Sequence, residues 1–185
     1  MAINALISTY GLFWKRENVH WGRPKNAGHL LGFAAKAKRT NIVDFREQQG
    51  IYALYDGAYQ LIYVGQAGSG ANKRLFRRLK DHTRDHLADR WTKFSWFGIQ
   101  RALNNGELSA EKQAAHTTIS AILDQMEAIL IVAAEPRHNK QGGRFGKLAK
   151  QFLQFRDVEA LGLEPNVMLS NIAKSVESIA SEQRK

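Results

Sequence analysis

Six side chains in this sequence carry groups suited to acid–base and electrostatic chemistry, and their spacing brings them together. Tyr52 and Tyr63 lie on either side of Asp56-Gly57, in two short runs rich in β-branched and aromatic residues. An Asp-Gly pair between such runs is a strong hairpin signal, because both residues accept the positive φ of a tight primed turn. Pairing of the runs brings the two phenols close together on the sheet. Arg78 and His82 are spaced i, i+4, which puts a guanidinium and an imidazole on one face of a helix. Glu127 is a lone carboxylate between Ile122 and Val132, a stretch otherwise nearly apolar apart from Asp124 and Gln125. Burying a carboxylate there is unfavourable without a partner, which suits a ligand role; a helix salt bridge is the plainer alternative. Asn139 follows in the loop past that helix, where a plain turn former is the competing reading.

The elements that must position these groups follow from periodicity. Residues 2–14 carry Ile3, Leu6, Ile7, Tyr10, Phe13 and Trp14 near helical spacing, which predicts an amphipathic helix. Trp14 and Trp21 bracket a basic turn and read as anchors that dock this arm onto the core. The hairpin comes next. The glycine-rich run from Gly65 to Ala71 reads as a flexible connection, since no Gly-Lys-Ser/Thr completes a Walker motif. Asn72 is a candidate cap for a helix to about Leu87, with Leu75 and Leu79 in its core stripe and Lys73, Arg74, Arg77, Arg78, Lys80 and Arg84 on the rest. Residues 90–99 alternate as a third strand, with Phe94 and Trp96 on one side. Ser109 is a candidate N-cap for a long helix to about Ala134, which Pro136 ends. Residues 144–155 form a basic amphipathic segment, and 166–184 read as a terminal helix. The expectation is an α/β (α+β) fold with a small mixed three-stranded sheet flanked by helices. Residues 1–47 form an N-terminal extension packed on or beside the core, 48–145 the central domain, and 146–185 a helical C-terminal extension.

Gly50-Ile51-Tyr52 opens the first hairpin strand and Tyr63-Val64-Gly65 closes the second. This pair of tripeptides resembles the two-part motif of the GIY-YIG nucleases. The order strand, strand, helix, strand, helix is similar too. Arg78, His82, Glu127 and Asn139 match, in order, that family's arginine, its histidine or tyrosine, its metal-binding glutamate and its asparagine. The resemblance runs from Gly50 to Asn139. It implies the GIY-YIG type of fold and a metal-dependent endonuclease that hydrolyses phosphodiester bonds in DNA. On that model Tyr63 is the general base and Tyr52 supports it. Arg78 grips the phosphate, His82 or Tyr52 relays a proton or orients water, and Asn139 fixes the loop. Glu127 is the single protein ligand of Mg²⁺ (or Mn²⁺). Gly65, Gln66, Lys73, Arg74, Arg77 and Lys80 would lie along the nucleic acid. The link from Gly65 to Arg78 is longer than in compact members, which makes Arg74 a rival for the arginine role. Arg78 is preferred because it alone has a histidine four residues later. Gln66 stands where some members have lysine.

Composition narrows the classes of function. The chain of 185 residues has a formal net charge of +10, which suits a polyanionic partner, with nucleic acid first and an anionic membrane surface second. Cysteine is absent, which removes disulfides, thiolate metal sites and cysteine nucleophiles and fits a cytoplasmic location. No apolar run approaches a membrane span, and no basic region precedes the apolar residues at the start. Two other classes fit the charge: a non-catalytic nucleic-acid-binding module on the same scaffold, and a basic module that binds an acidic protein. No recognition domain is evident, so the expectation is weak sequence preference, or a protein partner or an oligomer that supplies specificity.

Overall fold

The computed structural model describes residues 6–24, 27–35, 42–68, 70–110, 119–135, 142–145 and 149–156. Among them, β1 (Thr9–Lys15), β2 (Leu31–Ala34), β3 (Ile42–Asp44), β4 (Gly50–Tyr55), β5 (Leu61–Ala67), β6 (Lys93–Gly98) and β7 (Lys150–Gln154) form one mixed sheet, with helices α1 (Leu75–Asp81) and α2 (Ile119–Ala134). The strand order is β3-β2-β7-β1-β6-β4-β5. The sheet is therefore seven-stranded rather than three-stranded. The expected trio β5-β4-β6 is one flank of it, and β1 continues the ladder on β6. Only the β1–β7 pair is parallel among the pairings.

The helix expected over residues 2–14 is, from Thr9, strand β1, and the reason lies in a bulge. Gly11 pairs with Trp96 and Trp14 with Phe94, so β1 spends one residue more than β6 between these pairs. Phe13 takes a positive φ of 51° there. Leu12 and Phe13 both pack on the side of the sheet that holds Tyr55 and Phe97, while Trp14 is buried on the other side. An extra residue in a strand re-aims its side chains, and here it turns a two-residue alternation into a spacing that imitates a helix. The basic segment after Arg144 likewise contains a strand at Lys150–Gln154, not a helix. Phe152 is buried against Phe45. Gln154 caps the ladder edge, accepting from Lys15 N–H and donating to Lys15 C=O.

Helix α1 is shorter than expected and Asn72 does not cap it. Asn72 lies in a 3-10 turn, Ala71–Lys73, and Arg74 occupies the N-cap without a side-chain cap bond. Two of the free amides at the start of α1 are met instead by the chain before β4: Leu75 N–H donates to Gln48 C=O and Phe76 N–H to Arg46 C=O. Leu75, Phe76 and Leu79 bury α1 against Tyr52, Leu54, Phe94 and Trp96. Helix α2 packs on the opposite face, where Ala128 and Ala133 meet Ala53, Tyr55 and Phe97. Its first described residue is Ile119. Ser109 lies before that, and its hydroxyl accepts Arg101 N–H. No helix among the described residues is long and apolar enough to cross a membrane.

Candidate active site

The hairpin register sets the site. Asp56-Gly57 is not a two-residue turn. The loop runs from Asp56 to Gln60, where the Asp56 carboxylate accepts the N–H groups of Ala58 and Gln60 and Tyr59 takes the positive φ of 64° expected for glycine. The pairing puts Tyr52 opposite Gly65 and Tyr63 opposite Leu54, rather than Tyr52 opposite Tyr63. A slip of one residue would put the two phenols on opposite faces, whereas two residues keep them on one. They sit diagonally, with ring centroids 6.1 Å apart.

Gly65 is fixed by this arrangement. A Cβ there would lie 2.3 Å from both Cζ and the hydroxyl of Tyr52, so the phenol rests directly over the glycine backbone. Gly65 thus admits the Tyr52 phenol close to its backbone. Gly50 is fixed as well: its φ is 149° and a Cβ would strike Phe97 C=O at 1.9 Å.

Around Tyr52 the polar groups converge. Its hydroxyl lies 2.9 Å from His82 Nε2, and His82 Nδ1 lies 2.7 Å from Asp85 Oδ2. The Asp85 Oδ1 atom accepts Leu87 N–H, and the His82 carbonyl accepts Trp91 Nε1–H. The Arg78 guanidinium and the Tyr63 phenol are close enough to act electrostatically on the Tyr52 hydroxyl. The edge of Tyr63 stands against the His82 ring, with centroids 4.7 Å apart. Tyr52 is 0% exposed and His82 5%, whereas Tyr63 and Arg78 are half-buried. Tyr63 and Arg78, and Asp85 at the far end, are therefore the members of the set that can meet a solute.

Burial pushes the Tyr52 hydroxyl up to about 12; the nearby Arg78 opposes this and Tyr63 adds to it. The Arg78 guanidinium is raised, first by its attraction to Tyr52, against a smaller loss from burial. Burial also acts to raise Asp85, but the hydrogen bonds from Leu87 N–H and His82 outweigh it and hold the carboxylate below its ordinary value.

Of the two candidate arginines, Arg78 joins the tyrosines, while Arg74 lies 3.8 Å from Glu47. Arg78 also lines an open cleft of about 1040 Å³ with Gly50, Gly65, Gln66, Lys73 and Met126. The glycine-rich run places Lys73 there. Gly68 N–H donates to Lys73 C=O and Lys73 N–H to Gly70 C=O, which closes a small loop where a flexible connection was expected. Arg77 pairs with Asp81 across one turn, and the Lys80 ammonium sits 5.8 Å above the Phe76 ring. Lys80 is lowered by burial and by Arg84 and Arg77.

Glu127 is exposed, as are Ile122, Leu123, Met126 and Leu130 around it. The apolar stretch of α2 is thus not a buried environment, and the desolvation argument for a ligand role at Glu127 does not hold. Met126 and Ile129, its neighbours on α2, line the cleft with Arg78. Among the described residues no group of three or more histidine, aspartate or glutamate side chains can hold a metal ion. Asn139 lies outside the described residues. Asp85 is the member of the set missed from sequence. Its signal was the spacing His82-x-x-Asp85, a carboxylate one turn beyond a histidine at a helix end.

No family model, curated protein or solved structure matches the chain.

Proposed function

We propose that this protein is a metal-dependent endonuclease of the GIY-YIG type that hydrolyses phosphodiester bonds in DNA. The observation that carries the reading is the clustering of Tyr52, Tyr63 and Arg78, with Arg78 reaching a cleft that also takes in Lys73. Phosphodiester hydrolysis needs a base for water, neutralisation of the phosphate, and stabilisation of the charge that develops in the transition state. Tyr63 is accessible enough to take the water's proton. Arg78 holds the phosphate by charge-assisted hydrogen bonds from a planar fork. Lys73 and Gln66 extend the contact along the backbone, and the net charge of +10 draws the polyanion in.

The residues fit Mg²⁺ (or Mn²⁺) in its loosest form. A hydrated Mg²⁺ needs one or two carboxylates plus substrate phosphate oxygens rather than a protein cage. Glu127, exposed on the helix whose Met126 and Ile129 line the cleft, would hold it, and the ion would supply further neutralisation of the phosphate.

The test is plasmid cleavage with Mg²⁺ and with EDTA. The wild type should cut with the metal and stop with the chelator. Tyr63→Phe should lower the rate by roughly 10²–10⁴ with DNA affinity unchanged. Arg78→Ala should lower it by roughly 10²–10³. Glu127→Gln should abolish cleavage and keep binding. Salt-sensitive DNA binding with no cleavage under Mg²⁺ or Mn²⁺ would overturn the enzymatic reading in favour of a binding module. Absence of DNA binding would favour an acidic protein as partner.

A further inference from the structure

The donors and acceptors around Tyr52 can be assigned one by one. Asp85, ionised, is an acceptor only, so the 2.7 Å contact requires the proton of His82 on Nδ1. His82 Nε2 then carries a lone pair, and the Tyr52 hydroxyl 2.9 Å away must donate to it. Having spent its one proton, the Tyr52 oxygen keeps lone pairs for the neighbouring Arg78 and Tyr63. Donation runs from Tyr52 to His82 to Asp85, and Tyr63 stands at its head, with its ring centroid 6.1 Å from that of Tyr52 and 4.7 Å from that of His82. It leads from a half-buried phenol through the buried Tyr52 and His82 to a carboxylate that is one-third exposed.

We propose that Asp85 is a positioning residue that locks His82 in the Nδ1–H tautomer, so that His82 Nε2 receives the proton that Tyr63 must shed before it can act as a base. Tyr63 O–H passes its proton to the Tyr52 oxygen as Tyr52 O–H passes its own to His82 Nε2. The result is a Tyr63 phenolate and a His82 imidazolium, with no net change in charge. The anion lies near Arg78 and the cation against Asp85, and the charge of His86 also acts on that carboxylate. The phenolate then takes a proton from the attacking water, and the imidazolium releases one when the site resets. A buried carboxylate–histidine pair works through tautomer and orientation in the same way in hydrolytic triads. The relay rests on the nuclease reading; the tautomer does not.

Asp85→Asn is the sharp variant. Leu87 N–H needs an acceptor, so it holds the amide oxygen where Oδ1 stood. The amide nitrogen then faces His82 Nδ1 and donates to it, which forces the ring proton onto Nε2. The ¹⁵N spectrum of the histidine side chains in the full chain reads this directly, with His82 assigned by its loss in His82→Gln. The wild type should show a protonated Nδ1 and the variant a protonated Nε2, with melting temperature nearly unchanged. Cleavage should fall by roughly 10²–10⁴. A wild-type His82 protonated on Nε2 overturns the proposal whether or not the protein cuts DNA. An Asp85→Asn protein with the flipped tautomer and full cleavage rate overturns the relay. If Asp85→Asn unfolds, Asp85→Glu keeps the carboxylate and should retain the Nδ1 proton; its loss there would count equally against the assignment.

Discussion

Tyr52 is held neutral by its surroundings, and that neutrality is a measurable part of the fold's stability. Its hydroxyl is raised from an ordinary value near 10 to about 12, burial being the main cause. The folded state therefore binds this proton more tightly than the unfolded chain does. The contribution is complete below pH 10 and disappears as pH rises toward 12. Two units correspond to roughly 3 kcal/mol. Tyr10 and Tyr55 are raised by burial as well and add a smaller slope of the same sign. Urea unfolding of the wild type at pH 9, 10, 11 and 12 should show stability falling over that window, and Tyr52→Phe should remove the largest part of the fall. An unchanged slope in Tyr52→Phe would mean that the phenol is not desolvated. At this scale the sequence was legible where spacing rules reach. The hairpin gave the two tyrosines and the i, i+4 rule gave Arg78 with His82. Asp85 was hidden because it lies past the end of α1, in a turn whose course depends on Leu87 and Trp91.

Helix α2 shows how a hydrophobic pattern misleads when the neighbouring surface is flat and close. Its large apolar residues suggested a broad buried face. In the structure the fully buried apolar side chains of α2 are small, Ala128 and Ala133, with Ile129 and Val132 half-buried beside them, and Gln125 is buried by a bond to Phe145 C=O. Leu123 is 59% exposed and Leu130 63%. The same inversion removed the case for a desolvated Glu127. Leu123→Gln with Leu130→Gln should leave the unfolding free energy within about 0.5 kcal/mol of wild type per site, as for other surface changes. Ala128→Leu should destabilise by about 1–3 kcal/mol, because added volume has nowhere to go between helix and strand. Chemical denaturation of the two proteins separates the outcomes. If the glutamine pair is the damaging one, α2 buries the opposite face. Strand β1 carries the complementary lesson, since its bulge at Phe13 reproduced helical spacing within an extended chain.

At the scale of the whole molecule, the site depends on strands far from it in sequence. The segment from 48 to 145 holds β4, β5, β6, both helices and every described member of the tyrosine cluster. It does not hold β1, which pairs along β6 from Lys93 to Gly98, nor β7 and β2, which complete the sheet beyond β1. Periodicity and hairpin rules found β4 to β6 because those pairings are local. The β1–β7 and β2–β7 ladders join residues over 100 positions apart, and no local rule reports them. Removing them uncovers β6 as an edge whose backbone groups need partners. It also strips Trp14, Phe45 and Phe152 from around Trp96, which packs 4.4 Å from Phe45 and 5.3 Å from Trp14. Losing even one such core aromatic is expected to destabilise by about 3–5 kcal/mol, a large share of a domain's typical total of about 5–15 kcal/mol. A fragment spanning 48–145 should therefore lack cooperative thermal unfolding and protected amides, while residues 6–156 should retain both. Circular dichroism melting and hydrogen exchange on the two fragments decide the matter. A 48–145 fragment that melts cooperatively would show that the hairpin, α1 and β6 hold the site by themselves, with β1, β2, β3 and β7 added to a core already complete.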